Sequence, residues 1–218
     1  MECSIIAHQK TAQVFRSRPS VFKGQSGDSG ADWESYNDAI GTRWAAPDIT
    51  FTQKLSLHWG PPDVILEHHP GPTPGATWVI ISDLKIIFVG DTVVYNQPPF
   101  LANADIPAWQ ESLDLLRTNY SGYTVISGRG GVVPFDAVRL QLQFLKNTVK
   151  GLEKFARSNS PAEITEKVVP KLLTELSYSP HLEEHYVQRL KHGLYQYYTR
   201  RYRPTELENQ SRQVDSEQ

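Results

Sequence analysis

The chain of 218 residues contains one cysteine, Cys3, and one methionine. A single cysteine excludes an internal disulfide framework and is typical of a protein from a reducing compartment. The sequence has no run of about 18 apolar residues, so it predicts no membrane-spanning helix. The first residues lack the basic and apolar regions of a signal peptide, and we therefore expect a cytoplasmic protein with no membrane partner.

The sequence also lacks an excess of either charge, since 22 basic and 24 acidic residues give a formal net charge of −2. Proteins that bind nucleic acid usually carry a basic face, so we expect no nucleic-acid partner. The hydrophobic content of 39% and the aromatic content of 11% are typical of a packed globular protein. The length allows one domain, or one domain with an extension.

The most informative stretch, residues 64–91, combines two histidines, a Pro/Gly-rich loop and two apolar segments. Residues 78–81 and 86–89 are rich in β-branched and aromatic side chains and flank a polar turn, which predicts a β-hairpin. Gly90-Asp91-Thr92 then places a carboxylate at the end of a buried strand. Rigid scaffolds commonly present chemical groups at strand ends, so Asp91 is a candidate site residue.

This order of a Thr-Pro-Gly loop, a hairpin and Phe-Val-Gly-Asp-Thr resembles the second half of a metallo-β-lactamase-fold protein. The resemblance extends roughly from Ser4 to Phe155. It implies an α/β fold, the αββα sandwich of that family, and zinc-dependent hydrolysis. It also implies that Asp91 occupies the position of a carboxylate that bridges two metals.

The chain departs from the family pattern at the other expected metal ligands. Pro72 stands where the family has a histidine before Thr-Pro-Gly, and Arg129 stands where the last histidine ligand is expected. The His-X-His-X-Asp-His motif, which supplies most of the ligands in the family, is absent from the 218 residues. Neither proline nor arginine offers a side-chain ligand atom. We therefore predict a partial or degenerate metal-dependent hydrolase homologue, with no assigned catalytic residue.

His68 and His69 are the candidates to complete a zinc site with Asp91. Neighbouring strand residues point to opposite faces, so at most one of the two histidines would face such a metal. A metal site also needs about three protein ligands in fixed geometry. The alternative is a strand-end histidine that is hydrogen-bonded to loop backbone, and the sequence leaves both interpretations open.

Arg129, Gly128 and Gly130 form a candidate site for an anion or substrate. A guanidinium binds phosphate or carboxylate, and glycines expose backbone N–H groups. The alternatives are a tight glycine turn with an exposed arginine, or an Arg129 side chain paired with Asp91.

Two further histidine patterns are weaker. His8 is interpreted as a surface or capping histidine. His181-Leu-Glu-Glu-His185 matches the inverted zinc-protease motif, but short charged helices produce such matches by chance.

The expected organisation is a metallo-β-lactamase-like part over residues 1–158, a helical hairpin over 159–203 and a disordered tail over 204–218. Asp105 and Asp136 are predicted to begin helices that reach Tyr120 and Ser158. One strand is predicted over residues 49–59, and short polar segments predict a loop over 17–30 and a helix over 32–40. A capping box beginning at Ser160 predicts the first helix of the hairpin.

Three functions agree with these patterns. The first is a degenerate hydrolase homologue, and the second is an active metallo-hydrolase with an altered site for an anionic ester or thioester. The third is a non-catalytic scaffold that binds a small molecule or another protein. A sheet without its partner sheet exposes apolar surface, which predicts a homodimer or a complementing chain.

Overall fold

The computed structural model describes residues 4–17, 41 and 45–204. The predicted helix over 32–40 and nearly all of the predicted loop over 17–30 and the tail over 204–218 lie outside these ranges. Within them the chain forms a sheet packed against helices, which confirms the predicted α/β class. None of the described helices is both long and apolar enough to cross a bilayer.

A small parallel sheet pairs the first strand β1 (Ile6–His8) with β2 (Ile49–Phe51). Helix α1 (Gln9–Ser17) follows β1 directly. The six-stranded sheet has the order β3-β4-β5-β6-β7-β8. Its strands are β3 (Lys54–Leu57), β4 (Val64–His68), β5 (Thr77–Ile81), β6 (Ile86–Val94), β7 (Thr124–Arg129) and β8 (Gly131–Val132).

The prediction of one strand over residues 49–59 was wrong, because the chain changes sheets after Phe51. The carbonyls of Thr52 and Gln53 lie at the crossing and bond to different parts of the protein. Thr52 O accepts from His8 Nε2 at 2.8 Å, and Gln53 O accepts from the backbone N–H of His68 at 2.8 Å. These bonds hold β2 and β3 in two separate ladders.

The predicted β-hairpin is confirmed as β5 and β6, joined by a 3₁₀ turn over Ser82–Leu84. Strand β6 is longer than predicted because it continues through Gly90, Asp91 and Thr92 to Val94. Strand β7 lies parallel to β6, whereas the other neighbours in this sheet are antiparallel. Asp91 therefore lies within a paired strand and not in a loop beyond it.

Helices α2 (Ile106–Asn119) and α3 (Asp136–Arg157) contribute, with the sheet, to one buried core. Asp105 caps α2 as predicted, since its carboxylate accepts from the backbone N–H of Ala108 at 3.2 Å. The fully buried residues of this core include Trp78, Ile80, Ile87, Trp109, Leu113, Leu116 and Leu145. Thr92 bonds to both tryptophans: its hydroxyl accepts from Trp78 Nε1 at 3.1 Å, and its carbonyl accepts from Trp109 Nε1 at 2.9 Å.

The prediction of one continuous α-helix as the first helix of the C-terminal hairpin was wrong. Residues Ala162–Val168 form a 3₁₀ helix that leads into the short helix α4 (Val169–Leu173). The N-cap residue is Pro161 and not the predicted Ser160. No side chain bonds to the backbone of the first turn, so the predicted capping box does not form. After a 3₁₀ turn over Pro180–Leu182, the long helix α5 (Glu183–Tyr202) follows as expected.

The apolar side of α5 packs on the same core as the sheet. Leu190, Leu194 and Tyr198 are buried within the cluster that contains Trp78 and Trp109. The hydroxyl of Tyr198 donates to the carbonyl of Ser160 at 2.9 Å, which ties α5 to the end of α3. The division of the chain at residue 158 stays a prediction.

The opposite face of the large sheet carries apolar side chains with substantial exposure. Phe88 pairs with Val79 and Ile126, and Ile126 pairs with Val132, so these residues share that face. Phe88 is 38% exposed and Val132 is 67% exposed. A homodimer or a complementing chain over this face stays a prediction.

Candidate functional site

Asp91 is positioned by an irregularity in β6. Gly90 has φ of 56°, and the pairing of β6 with β7 shifts register between Phe88 and Gly90 and again before Val94. A glycine adopts this left-handed conformation without steric cost and is typical of a β-bulge. The bulge turns the Asp91 carboxylate toward β7, where its side chain is 34% exposed.

The neighbouring turn of β7 and β8 presents Arg129 to this carboxylate. The hydroxyl of Ser127 donates to the carbonyl of Val93 and accepts from the backbone N–H of Arg129 at 3.0 Å. Gly130, with φ of 119°, lies between the two strands. A tight glycine turn is therefore present, and the backbone N–H of Arg129 is used inside it, but the side chain of Arg129 is only 26% exposed and not free in solvent as that alternative had it.

Arg129 and Asp91 form an ion pair. Arg129 Nε lies 3.4 Å from each carboxylate oxygen of Asp91. Gly128 allows this approach, because a Cβ atom at Gly128 would lie 2.9 Å from Asp91 Oδ1. Of the sequence-based alternatives for Arg129, the pairing with Asp91 is the arrangement that the structure contains.

A second arginine, Arg189 on α5, belongs to the same cluster. It is 2% exposed, and its guanidinium donates to Gln97 Oε1 at 3.0 Å and to the carbonyl of Pro98 at 3.3 Å. Its Nη2 lies 2.9 Å from His185 Nε2, which accepts this bond because arginine only donates. The buried cation of Arg189, on α5, therefore lies next to the segment that follows β6.

Phe100 connects the two arginines. The guanidinium carbon of Arg129 lies 4.8 Å from the ring centroid of Phe100, and that of Arg189 lies 4.3 Å from the same centroid. Arg189 also lies 5.1 Å from the ring centroid of Tyr186. Aromatic rings attract such cations electrostatically, so these contacts offset part of the cost of placing two like charges together.

The ionisation of the cluster reflects its burial and its charges. Burial raises the pKa of Asp91 above its ordinary value, although the charge of Arg189 acts in the opposite direction. Burial, followed by the like charge of Arg129, lowers the pKa of Arg189 to about 10. Burial also lowers the pKa of Arg129. When both arginines are protonated and Asp91 is ionised, the three side chains carry one net positive charge.

His68 and His69 are engaged away from Asp91. His68 Nε2 bonds to the carbonyl of Pro74 at 2.8 Å, which is the strand-end alternative considered from the sequence. Its ring also stacks on that of His8, with centroids 3.7 Å apart. His69 Nε2 lies 3.2 Å from Glu67 Oε2, and its ring stacks on Trp78 with centroids 3.8 Å apart.

His8 itself combines a correct and an incorrect prediction. It is 3% exposed, so its interpretation as a surface residue was wrong, because β2 and the ring of His68 cover it. The capping role is confirmed, since His8 Nδ1 accepts from the backbone N–H of Lys10 at 3.2 Å, at the start of α1.

The inverted zinc-protease pattern has no metal-binding geometry. His181 Nδ1 bonds to the Ser179 hydroxyl at 2.8 Å, and His185 bonds to Arg189. His181 lies in the 3₁₀ turn before α5, so the two histidines are not on one continuous α-helix.

The described residues do not fit a zinc ion at Asp91. Residues 4–17, 41 and 45–204 contain no group of three or more His, Cys, Asp or Glu side chains placed to hold a metal, so Asp91, His68 and His69 do not form one. The buried Pro72 occupies the expected ligand position, and a guanidinium faces both oxygens of Asp91. Two arginines also oppose a divalent cation electrostatically.

Sequence reasoning missed Arg189, Phe100 and Tyr186 as members of this cluster. A signal existed on α5, because Arg189 follows Tyr186 by three residues and precedes Leu190, on the side of the helix that is otherwise apolar. A cation in such a stripe needs a partner inside the protein. Its partners Gln97 and Pro98 are distant in sequence, so the pattern did not reveal them.

The sequence profile of the metallo-beta-lactamase superfamily matches residues 4–128, which is more than half of the chain. The chain belongs to the metallo-beta-lactamase superfamily. No curated protein matches it in sequence. The membership confirms the resemblance that the Thr-Pro-Gly loop, the hairpin and Gly-Asp-Thr indicated.

Many solved structures share the fold, and two of them illustrate the likeness. A metallo-beta-lactamase from Pontibacter korlensis is 18% identical and aligns with a TM-score of 0.50 over 66% of this chain and 58% of its own length. A metallo-beta-lactamase family protein from Thermus thermophilus is 12% identical, with a TM-score of 0.56 over 91% of this chain and 66% of its own length. The chain thus spans less than two thirds of the length of either structure. At these identities the likeness concerns the fold alone.

Proposed function

We propose that this chain is a member of the metallo-beta-lactamase superfamily that binds a small oxyanion at Arg129 and Arg189, without a hydrolytic metal centre. The observation that carries the proposal is the pair of guanidinium groups on one ring, Phe100, with Asp91 as the neighbouring carboxylate. The ligand class is a phosphate or a carboxylate, because both groups carry the negatively charged oxygen atoms that guanidinium groups bind.

Exposure gives the two arginines different roles. The side chain of Arg129 is 26% exposed and therefore reaches solvent beside Asp91. Arg189 is buried, so it contributes its positive charge from the interior of the protein. Its guanidinium also packs on the ring of Phe100. An incoming anion would contact Arg129 first and gain from the charge of Arg189, whose effect is strengthened by its removal from water.

The experiment is a calorimetric titration of the full chain with inorganic phosphate, and separately with acetate, at low ionic strength because salt screens such contacts. Arg129→Gln removes the charge and keeps a polar side chain. Arg139→Gln is the matched control, since Arg139 is also paired with an aspartate, Asp136, but lies exposed on α3. We expect saturable binding by the wild type and the control, and an affinity at least about tenfold lower for Arg129→Gln.

Comparison of the two anions distinguishes a phosphate ligand from a carboxylate ligand. Equal affinity of the wild type and Arg129→Gln for both anions would contradict the proposal. Measuring the metal content of the purified chain is a second test, which distinguishes the oxyanion site from a metal site. About one zinc per chain, lost in Asp91→Asn, would instead support the metallo-hydrolase with an altered site.

A further inference from the structure

A cavity of about 280 Å³ lies where α1, the start of α2 and the end of α5 come together. Its lining combines Lys10 on α1, two prolines of the loop after β4, residues at the start of α2, and residues of the last turns of α5. These parts are distant in sequence, so the fold alone creates the cavity. Its volume is just below the usual range for drug-sized ligands, about 300–1,000 Å³, and therefore suits a small ligand.

Three basic side chains line this cavity: Lys10, Arg200 and Arg201. All three residues are exposed, so a ligand can reach their charges. In the part of the chain that the structure describes, none of the three forms an ion pair. A concave surface lined by unpaired cations attracts a negatively charged ligand.

The acidic residue among the described lining residues, Asp105, is engaged within the protein. Its Oδ1 accepts from the backbone N–H of Ala108 at 3.2 Å, where it caps α2. Three basic residues and one acidic residue give this lining an excess of two positive charges. A phosphate monoester carries a charge of about −1.5 to −2 at pH 7 and matches this excess. A carboxylate or a sulfate monoester, with one negative charge, matches it less well.

Arg200 is held in position by the protein itself. Its Nη2 donates to the carbonyl of Ala104 at 2.7 Å, and its guanidinium carbon lies 6.0 Å from the ring centroid of Tyr197. A guanidinium has five N–H donors, so the bond to Ala104 leaves others for a ligand. A donor that is already fixed loses less conformational entropy when a ligand binds.

Apolar rings form another part of the lining. They belong to Tyr197, Pro70, Pro74 and Pro107. Burial raises the pKa of Tyr197 to about 12, although the charges of Arg201 and Arg200 act in the opposite direction. Tyr197 is therefore neutral at physiological pH and does not repel an anion. Such rings pack well on a flat apolar group, so the lining suits a ligand that joins a phosphate to a small ring.

We propose that this cavity binds a small phosphate monoester, with its phosphate group on Lys10, Arg200 and Arg201 and its organic ring against the prolines and Tyr197. The site is separate from the oxyanion site, since its lining contains neither Arg129 nor Arg189. The two proposals can therefore fail independently of each other.

The test is a calorimetric titration of the full chain with four probes: phenyl phosphate, phenyl sulfate, inorganic phosphate and benzyl alcohol. It is done at low ionic strength and near pH 8, where the phosphate is fully charged because its second pKa is about 6. We expect phenyl phosphate to bind saturably and benzyl alcohol not to bind. Phenyl sulfate has one charge fewer and inorganic phosphate lacks the ring, so each should bind at least about tenfold more weakly. Equal affinity for phenyl phosphate and either of these two anions overturns the proposal.

Variants assign the binding to this cavity. Lys10→Gln and Arg201→Gln each remove one charge and are expected to weaken phenyl phosphate binding about tenfold. Lys10→Arg keeps the charge and should bind nearly as the wild type does. Lys150→Gln, which removes an exposed cation of α3, is the matched control and should leave the affinity unchanged. Unchanged affinity in folded Lys10→Gln and Arg201→Gln variants contradicts the proposal.

Arg129→Gln separates this cavity from the oxyanion site. Phenyl phosphate should still bind Arg129→Gln, and in that background the binding should still depend on Arg201. Binding that is lost in Arg129→Gln and kept in Arg201→Gln would belong to the oxyanion site and would overturn the assignment to this cavity.

Discussion

The imidazole rings of His8 and His68 lie parallel, with centroids 3.7 Å apart and planes inclined by 6°. They join the small sheet to the large one, because His8 ends β1 and His68 ends β4. His8 Nε2 donates to the carbonyl of Thr52 at 2.8 Å, and its Nδ1 accepts from Lys10 N–H. Both nitrogens are therefore satisfied in the neutral ring, and a proton on Nδ1 would remove the bond to Lys10.

The first prediction is that this contact weakens in acid. Burial lowers the pKa of His8, with a smaller contribution from the charge of His68, although the bond to Thr52 acts in the opposite direction. A histidine with a lowered pKa in the folded state stabilises the protein above its unfolded pKa of about 6.5, and this stability is lost as the pH falls below that value. Chemical denaturation at several pH values measures the loss.

The variant for this test is His8→Asn, because asparagine can still accept from the first turn of α1. We expect a smaller loss of unfolding free energy between about pH 7 and pH 5 than in the wild type. His58→Asn is the control, since His58 is exposed and paired with Asp63 on the surface. An acid response unchanged by His8→Asn would show that His8 does not carry it.

The second prediction concerns Asp91 and separates an oxyanion site from a metal site. Because burial raises the pKa of Asp91, the folded state favours its neutral form more than the unfolded state does. Ionised Asp91 thus costs stability at neutral pH, and this cost disappears as the pH falls through the folded-state pKa. Asp91→Asn should therefore be at least as stable as the wild type near pH 7, and its advantage should shrink in acid.

The same substitution should strengthen binding of inorganic phosphate. It removes the carboxylate that competes for Arg129, and we expect a gain of roughly fivefold to tenfold, or ~1 kcal/mol. Calorimetry of both proteins gives the ratio. A loss of phosphate binding in Asp91→Asn would mean that the carboxylate itself takes part in binding, as it would through a metal.

The third prediction is steric. A Cβ atom at Gly128 would lie 2.9 Å from Asp91 Oδ1 and 3.2 Å from the backbone carbon of Gly90. Gly128→Ala should destabilise the protein by about 1–3 kcal/mol, because the bulge and the Asp91 side chain must move. Gly122→Ala is the matched control, since its Cβ would meet nothing within 4 Å. Thermal unfolding of the two variants tests the difference.

The parts of the protein that sequence reasoning predicted well depend on local patterns. The hairpin and the cap at Asp105 follow from side chains within a few residues of one another. The contacts of Arg189 in the candidate site are long-range, since Arg189 bonds to residues 97 and 98. Outside the site, His8 likewise contacts the distant residues Thr52 and His68. Such pairs depend on how helices and strands pack, and no single-sequence periodicity encodes the packing.

The last prediction concerns Thr92, which follows Asp91 and accepts hydrogen bonds from two tryptophans. Its hydroxyl accepts from Trp78 Nε1 at 3.1 Å, and all these groups are buried. Thr92→Val keeps the volume but leaves the indole N–H of Trp78 without an acceptor, so we expect a loss of about 1–3 kcal/mol of unfolding free energy. Thr92→Ser keeps the acceptor, so its unfolding free energy should fall by less than that of Thr92→Val. The bond of Trp109 to the Thr92 carbonyl should persist in both variants, because it involves the backbone. Equal destabilisation by the two substitutions in urea denaturation would mean that the hydrogen bond to Trp78 contributes no more than the packing of the Thr92 methyl group.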